Sequence, residues 1–140
     1  MPHQCNNVML KCMDFRLQNK TLSWIKENYY FGDCDVISNA GSGKALIDGV
    51  PEVKDFILNE IRISYEKHGA RNVILIHHSD CGAYKSYNFV NIEEEKTKQI
   101  EDMNKEETII KEVFPDVTVI KIWAQLNDEN GNDIEFQKIA

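Results

Sequence analysis

Residues 72–82 read NVILIHHSDCG, an apolar run that ends in two imidazoles, a carboxylate and a thiol. A short apolar run bounded by turn residues predicts a fully buried strand, here at 72–76. Parallel α/β sheets bind their ligands beyond the carboxyl ends of the strands, and the polar segment 77–82 follows this strand directly. The stretch therefore predicts a parallel sheet and also the edge of that sheet where chemistry is expected.

On both sides of this strand, β-rich runs alternate with helical patterns. The predicted strands cover 8–12, a run that starts at 36, 72–76, 117–126 and 134–139, and the predicted helices cover 17–30, 51–69 and 92–114. This alternation predicts a three-layer α/β fold: a central, mostly parallel sheet with helices on both faces and a C-terminal edge strand after an Asn-Gly turn. For 140 residues we expect a single domain over 1–140.

The segment 51–69 carries signals for both ends of a helix. Pro51 favours the first turn, and Gly69 favours the left-handed conformation that ends a helix. Its apolar residues cover more than one stripe: Val53, Phe56, Ile57, Leu58, Ile61, Ile63 and Tyr65. One sheet cannot cover so much of a helix, so the pattern predicts a second covering surface. We interpret that surface as another copy of the chain, in a homodimer or higher homo-oligomer.

The helix predicted at 92–114 is rich in charge. Oppositely charged residues recur four apart, as Glu94–Lys98, Glu101–Lys105 and Glu107–Lys111. Such pairs are typical of a solvent-exposed helix surface. The predicted inner residues are Ile100, Met103, Ile110 and Phe114.

Composition argues against several classes of function. The formal net charge is −7 and the 16 Lys and Arg residues form no basic block, which argues against a nucleic-acid partner. No apolar run approaches the roughly 20 residues that span a bilayer, so no membrane partner is expected. The start MPHQCNNVML lacks a signal-peptide pattern, and the four cysteines have no regular disulfide spacing. We therefore expect a cytoplasmic location with reduced thiols.

The polar segment 77–82 needs partners at the same edge of the sheet. Cys5 and Cys34 precede the first two strands and so belong to the opposite, amino edge, where we interpret them as structural thiols. Cys12 ends the first strand and lies at the carboxyl edge. Cys12 thus joins His78 and Cys81, and a Cys2His set with one open position is typical of catalytic zinc.

Around Cys12 the chain reads CMDFR (12–16). If this segment stays extended, Cys12, Asp14 and Arg16 face the same way. The planar guanidinium of Arg16 is suited to grip and orient the Asp14 carboxylate. Taken singly, a buried thiol or a surface ion pair is ordinary structure; together at one edge they indicate a metal site. His77 points away from His78 in a continuing strand, so we assign it to packing or to support of the site.

The loop NAGSGKA (39–45) is not a phosphate-binding loop. A Walker A motif needs glycine at position 38 and Ser or Thr at 45, where this chain has Ser38 and Ala45. The glycines instead favour close approach of backbone to a small ligand or to the metal site. We take Gly41, Ser42 and Gly82 as candidate substrate-binding residues.

Three motifs together resemble the β-class carbonic anhydrases. They are Cys12-x-Asp14-x-Arg16, Asn39-Ala40-Gly41 and His78-x-x-Cys81-Gly82, in that family's order and at similar separations. The resemblance covers most of the chain and is weakest between 85 and 114. It implies a Zn2+ cofactor on Cys12, His78 and Cys81, a strand order of 2-1-3-4, and an obligate dimer or larger assembly.

The resemblance also implies a reaction, the reversible hydration of carbon dioxide to bicarbonate by a zinc-bound hydroxide. Asp14 would orient that hydroxide or, in a closed resting form, leave Arg16 and become the fourth zinc ligand. The alternatives are a carbonyl sulfide or carbon disulfide hydrolase on the same zinc site and a non-catalytic zinc-binding homologue. Phe15, Ser38 and Lys44 depart from the family pattern and bear on the pocket wall and subunit contacts, not on the zinc ligands.

Overall fold

The computed structural model describes residues 3–28 and 33–140. Its strands and helices are, in chain order, β1 (Asn7–Cys12), α1 (Gln18–Asn28), β2 (Cys34–Asn39), α2 (Ala45–Asp48), α3 (Pro51–Ile63), β3 (Asn72–His78), α4 (Ile92–Val113), β4 (Thr118–Leu126) and β5 (Ile134–Ile139). Single 3-10 segments cover Phe15–Leu17 and Gly82–Tyr87, and a π-helical turn covers Ser64–His68. The predicted elements are confirmed with shifted bounds, except that the predicted end of the first helix, at 29–30, lies outside the described residues.

The strands of the described residues form one sheet in the order β2-β1-β3-β4-β5. β1 is parallel to both β2 and β3, β3 is parallel to β4, and β5 runs antiparallel to β4. This confirms the predicted order 2-1-3-4 and the C-terminal edge strand.

Apolar side chains fill both faces of the sheet. On one face the strands pack against α2, α3 and α4 through Val8, Leu10, Val73, Leu75, Leu46, Ile57, Ile61, Met103 and Ile110. On the other face the sheet packs against α1 and the two 3-10 segments through Met9, Ile74, Ile76, Ile122, Leu17, Ile25 and Tyr84. Because both faces are covered, residues 8–10 of β1 and 73–76 of β3 are continuous apolar runs, and the predicted three-layer architecture is confirmed.

The two middle strands stop pairing before they end. β1 and β3 are paired from Asn7↔Asn72 to Leu10↔Leu75. Beyond that point β1 stays paired only with β2, as far as Cys12↔Asn39, and β3 only with β4, as far as His78↔Ala124. A crevice at the carboxyl edge of neighbouring strands that diverge in this way is where α/β sheets bind their ligands. Cys12 and His78 lie on its two sides.

Helix α3 carries more apolar surface than the sheet covers. It begins at Pro51 as predicted, and the π-helical turn after it ends at Gly69 in the left-handed conformation. Ile57 and Ile61 are buried against the sheet, whereas Phe56 is 65% exposed. Val53 and Ile63 are exposed as well. A single chain therefore leaves part of this helix uncovered, as the sequence pattern predicted.

No helix among the described residues is both long enough and apolar enough to cross a membrane.

Candidate metal centre

The predicted trio Cys12, His78 and Cys81 comes together at the carboxyl edge. One ligand atom from each lies within 4.8 Å of the other two, and all three residues are buried. The two Sγ atoms are 3.9 Å apart. Cys12 ends β1, His78 ends β3, and Cys81 lies just after β3, so strand ends position all three donors.

His78 has the form that a metal ligand needs. Its Nδ1 donates to the backbone carbonyl of Ser79 at 2.7 Å, which fixes the proton on that nitrogen and leaves the lone pair on Nε2. Nε2 is buried and has no hydrogen-bond partner among the described residues. A buried polar atom without a partner costs about 1–3 kcal/mol. A cation between His78, Cys12 and Cys81 would remove that cost, so the donors fit zinc.

The pKa values of the two thiols are shifted in opposite directions. A hydrogen bond from Cys81 lowers the pKa of Cys12 against the opposing effect of burial. The same contact with Cys12, together with burial, raises the pKa of Cys81. Protein groups alone thus favour one thiolate on the pair, and a divalent cation would stabilise the second.

Asp14 and Arg16 are joined, but not by an extended strand. The expectation that residues 12–16 stay extended is wrong, since β1 ends at Cys12 and Asp14 caps the 3-10 segment Phe15–Leu17. The cap forms because a short carboxylate can accept the orphan N–H groups of a helical turn, here the backbone N–H of Arg16 at 2.9 Å. The guanidinium then grips both carboxylate oxygens, at 3.0 and 2.7 Å.

This grip keeps Asp14 ionised and beside the trio. The hydrogen bonds from Arg16 hold the pKa of the Asp14 carboxyl below its ordinary value. Asp14 Oδ2 lies 3.9 Å from His78 Nε2. In this arrangement the carboxylate is bound to Arg16 and borders the site.

Arg16 also binds the turn that carries Cys81. Its Nη1 and Nη2 donate to the side chain and the backbone carbonyl of Asp80, both at 3.2 Å. Asp80 has a positive φ of 55°, a left-handed conformation that costs a non-glycine residue about 1–2 kcal/mol. From the other side, the Glu95 carboxylate accepts the backbone N–H groups of Asp80 and Cys81 at 2.8 and 3.2 Å. The turn between two proposed ligands is therefore clamped by an arginine and a glutamate.

Glu95 belongs to a buried polar stripe on α4 that the sequence analysis missed. Its members, spaced by four, three and four residues, are Glu95, Gln99, Asp102 and Glu106. Of the three ion pairs predicted for an exposed surface, Glu107–Lys111 is present at 3.6 Å, whereas Lys98 instead binds Asp102 at 3.1 Å. The predicted surface pairs did not include the four buried residues of the stripe, and their repeated spacing is the signal that could have revealed it.

The buried polar stripe of α4 also forms hydrogen bonds with the end of β3. Gln99 donates to the carbonyl of His78 at 2.9 Å and to Glu95 at 3.0 Å. His77 points to the opposite side from His78, as predicted, and lies between Gln99 Oε1 at 3.0 Å and Glu106 Oε1 at 3.1 Å. Burial acts to lower the pKa of His77, but the Glu106 carboxylate outweighs it and the net pKa is raised.

The loop after β2 approaches the turn at Cys81. Gly41 has φ 77°, and a Cβ there would lie 2.9 Å from the Cβ of Ala83, so only glycine allows this contact. Ser42 is buried and donates to the carbonyl of Leu10 at 3.0 Å, which ties the loop to β1. A Cβ on Gly82 would meet nothing within 4 Å. Substrate binding by Gly41, Ser42 and Gly82 stays a prediction.

The cavity beside the proposed metal site lies on the Cys81 side. A cavity of about 390 Å³ is lined by Cys81, Tyr84, Glu95 and Leu126, but neither Cys12 nor His78 lines it. Phe15 is 80% exposed.

The C-terminal hairpin rests on Arg16. Gly131, in the turn between β4 and β5, has φ 71°, and a Cβ there would lie 2.7 Å from both the carbonyl oxygen and the Cβ of Arg16. This contact braces the residue that holds Asp14.

The comparisons with known sequences agree on one family. The family model described as "Putative carbonic anhydrase" matches residues 2–134. An uncharacterized protein of Rickettsia bellii is 30% identical over 122 residues, which is 84% of this chain and 74% of that protein. Beta-carbonic anhydrase 1 of Mycobacterium tuberculosis is 35% identical over 82 residues, which is 59% of this chain but only 42% of the mycobacterial enzyme.

The solved structures share the fold. Beta-carbonic anhydrase isoform I from Trichomonas vaginalis superposes with a TM-score of 0.65 at 18% identity, over 98% of this chain and 83% of that chain. One of two tetrameric beta-carbonic anhydrases from Sordaria macrospora gives 0.62 at 12% identity, over 99% and 84% of the two chains.

Proposed function

The chain belongs to the β-class carbonic anhydrase family, and from that membership we propose that it catalyses the reversible hydration of carbon dioxide to bicarbonate. In this proposal Cys12, His78 and Cys81 bind a zinc ion. The observation that carries the proposal is the buried His78 Nε2, which has no hydrogen-bond partner among the described residues and faces two thiols within 4.8 Å.

Zinc on this site would supply a Lewis acid that makes a water molecule nucleophilic near neutral pH. The two thiolates offset the charge of the cation, so it would polarise water less than one held by three neutral imidazoles. The protein groups that orient the water and accept its proton therefore matter more here than in a three-histidine site.

We assign that role to Asp14. Its Oδ2 is 3.9 Å from His78 Nε2, and it is ionised because Arg16 holds its pKa low. A water at the site can donate to this oxygen, which would fix the direction of its lone pairs. Arg16 in turn holds the carboxylate by both oxygens, which would keep it off the cation.

Stopped-flow measurement of carbon dioxide hydration by the zinc-loaded chain tests the proposal. The expected result is one zinc bound by Cys12, His78 and Cys81 and a hydration rate well above the uncatalysed reaction. The Cys12→Ser, Cys81→Ser double variant is expected to lose both that zinc and the activity. Carbonyl sulfide and carbon disulfide are assayed in parallel. Turnover of either of these without carbon dioxide hydration would contradict the substrate, and a zinc-loaded chain inert toward all three would contradict catalysis.

We also propose that the chain assembles with itself. The support is the uncovered apolar face of α3, where Val53, Phe56 and Ile63 are exposed, since such patches commonly mark interfaces. Light scattering of the wild type should give a dimer or larger species at micromolar concentration. Phe56→Glu should shift it toward the monomer, whereas Glu52→Gln, on the exposed surface of the same helix, should not.

A cytoplasmic location is part of the same proposal, because reduced thiols are needed for the zinc site. Cell fractionation with an antibody against the chain would check it.

A further inference from the structure

A second cluster of side chains that could hold a metal ion lies at the amino edge of the sheet. It lies opposite Cys12, His78 and Cys81, which we call the catalytic trio. Cys5 precedes β1, Asp35 is in β2, and His68 ends the π-helical turn after α3. One ligand atom from each lies within 4.8 Å of the other two. Within residues 3–28 and 33–140, only this group and the catalytic trio bring three such donors so close.

Asp35 is the centre of the cluster. Its Oδ2 is 2.5 Å from His68 Nδ1 and 3.5 Å from Cys5 Sγ. Ser64 Oγ also donates to this oxygen, at 2.7 Å. An imidazole, a thiol and a carboxylate, each from a different segment, therefore converge on one point.

Three further donors border the same space. A cavity of about 240 Å³ at this edge is lined by His3, Asp33 and Cys34 together with Cys5, Asp35 and His68. The rings of His3 and His68 lie with their centroids 4.8 Å apart. The cavity gives a cation room to enter, and its wall holds two thiols, two imidazoles and two carboxylates.

The cluster contains more metal-binding groups than an ion pair between Asp35 and His68 would need. An Asp35–His68 pair would be complete without any thiol beside it, yet both cysteines outside the catalytic site lie here. Thiolate, imidazole and carboxylate are the donors that zinc prefers, and four protein ligands are typical of a structural zinc.

We propose that this amino-edge cluster binds a second zinc ion, with Cys5, Asp35 and His68 as ligands and Cys34 or His3 as the fourth. Binding would release the thiol proton of Cys5. The ion would join the segment before β1, strand β2 and the end of the α3 region. Its role would be structural, at the edge of the sheet opposite the catalytic trio.

Metal stoichiometry tests the proposal. The zinc-free wild type is titrated with Zn2+ and with Co2+, whose thiolate absorption bands report cysteine ligands. The expected result is two ions per chain in the wild type, and one in the Cys12→Ser, Cys81→Ser variant with thiolate bands retained. Cys5→Ser, His68→Gln should also bind one ion and should keep its carbon dioxide hydration when folded.

The outcomes separate this proposal from the catalytic one. A wild type that binds one ion, lost in the Cys12→Ser, Cys81→Ser variant, would overturn the second site and leave the catalytic site standing. One ion that survives in that variant and is lost in Cys5→Ser, His68→Gln would support the second site and overturn the catalytic zinc. A wild type that binds two ions per chain supports the second site even where a variant does not fold, and a single ion is assigned to one site by the variant that loses it.

Discussion

The carboxylate of Glu95 accepts the backbone N–H of Cys81 at 3.2 Å, so a buried acid on α4 sets the position of a proposed zinc ligand. The same carboxylate accepts the N–H of Asp80, whose left-handed backbone turns the chain between His78 and Cys81. Gln99 links Glu95 to the carbonyl of His78. One helix thus holds both ends of the His78–Cys81 segment in place.

Glu95→Gln should weaken zinc binding about 10- to 100-fold, the usual effect of losing a group that orients metal ligands. A neutral amide accepts hydrogen bonds more weakly than a carboxylate, and with one acceptor oxygen in place of two it leaves a buried N–H of the turn poorly paired. Competition with a chelator of known affinity measures the change. Glu93→Gln, which removes the same charge from the exposed first turn of α4, should match the wild type. Equal affinities in the two variants would refute the role of Glu95.

Asp14→Asn should lower the hydration rate about 100-fold or more while the zinc content stays unchanged. The amide cannot take up a proton, and it holds the Arg16 guanidinium with one oxygen instead of two. Stopped-flow assays with zinc analysis of the same samples give both readouts. Asp55→Asn, at an exposed position on α3, serves as the control. An Asp14→Asn chain that works at full speed would show that Asp14 does not take part.

Arg16→Ala should give a zinc-loaded but slow enzyme. The change frees Asp14 to move onto the zinc and releases Asp80 from two hydrogen bonds. Substitution of the half-buried Arg62 by alanine should leave the rate unchanged. X-ray absorption at the zinc edge would report an added oxygen ligand in the Arg16→Ala chain. An unaltered spectrum with a normal rate would show that Arg16 does not hold Asp14 away from the zinc.

The hydration rate should climb between about pH 6.5 and 9, because ionisation of the water generates the nucleophile. Arg16 lowers the Asp14 pKa below its usual value of about 3.9, so Asp14 stays ionised throughout this range and does not contribute to the pH dependence of the rate.

A depressed carboxyl pKa also stabilises the fold above about pH 4, and that contribution is lost as pH falls through the folded-state pKa. Urea unfolding of zinc-free wild type and Asp14→Asn should therefore differ at pH 7 and converge at low pH. A hydration rate flat with pH would contradict the first expectation.

The strands and the Cys2His trio were predictable because each rests on a local signal. Apolar runs mark the buried strands, and a ligand at a strand end must lie at one edge or the other, which separates Cys12 and Cys81 from Cys5 and Cys34. The joining of Asp14 to Arg16 was also predicted, although through the wrong backbone. An extended strand and a capped 3-10 segment both place residues two apart in contact, so the sequence could not distinguish them.

The buried stripe of α4 was not predictable from the charge pattern. Glu95, Gln99 and Glu106 look like a solvated face because their partners are backbone groups and His77, which lie far away in the sequence. Only tertiary packing shows that a polar turn and a buried imidazole need such acceptors. The available hints were the repeated spacing of these polar residues and the sparse apolar residues in the first half of α4.

Gly131 is buried between the exposed residues Asn130 and Asn132, and its missing side chain lets the hairpin lie against Arg16. Any other residue would bring a Cβ into the backbone of Arg16 and would also have to adopt a positive φ. In a saturation mutagenesis screen scored by activity, position 131 should therefore stand out as an isolated intolerant site, with neighbours on both sides that accept most replacements.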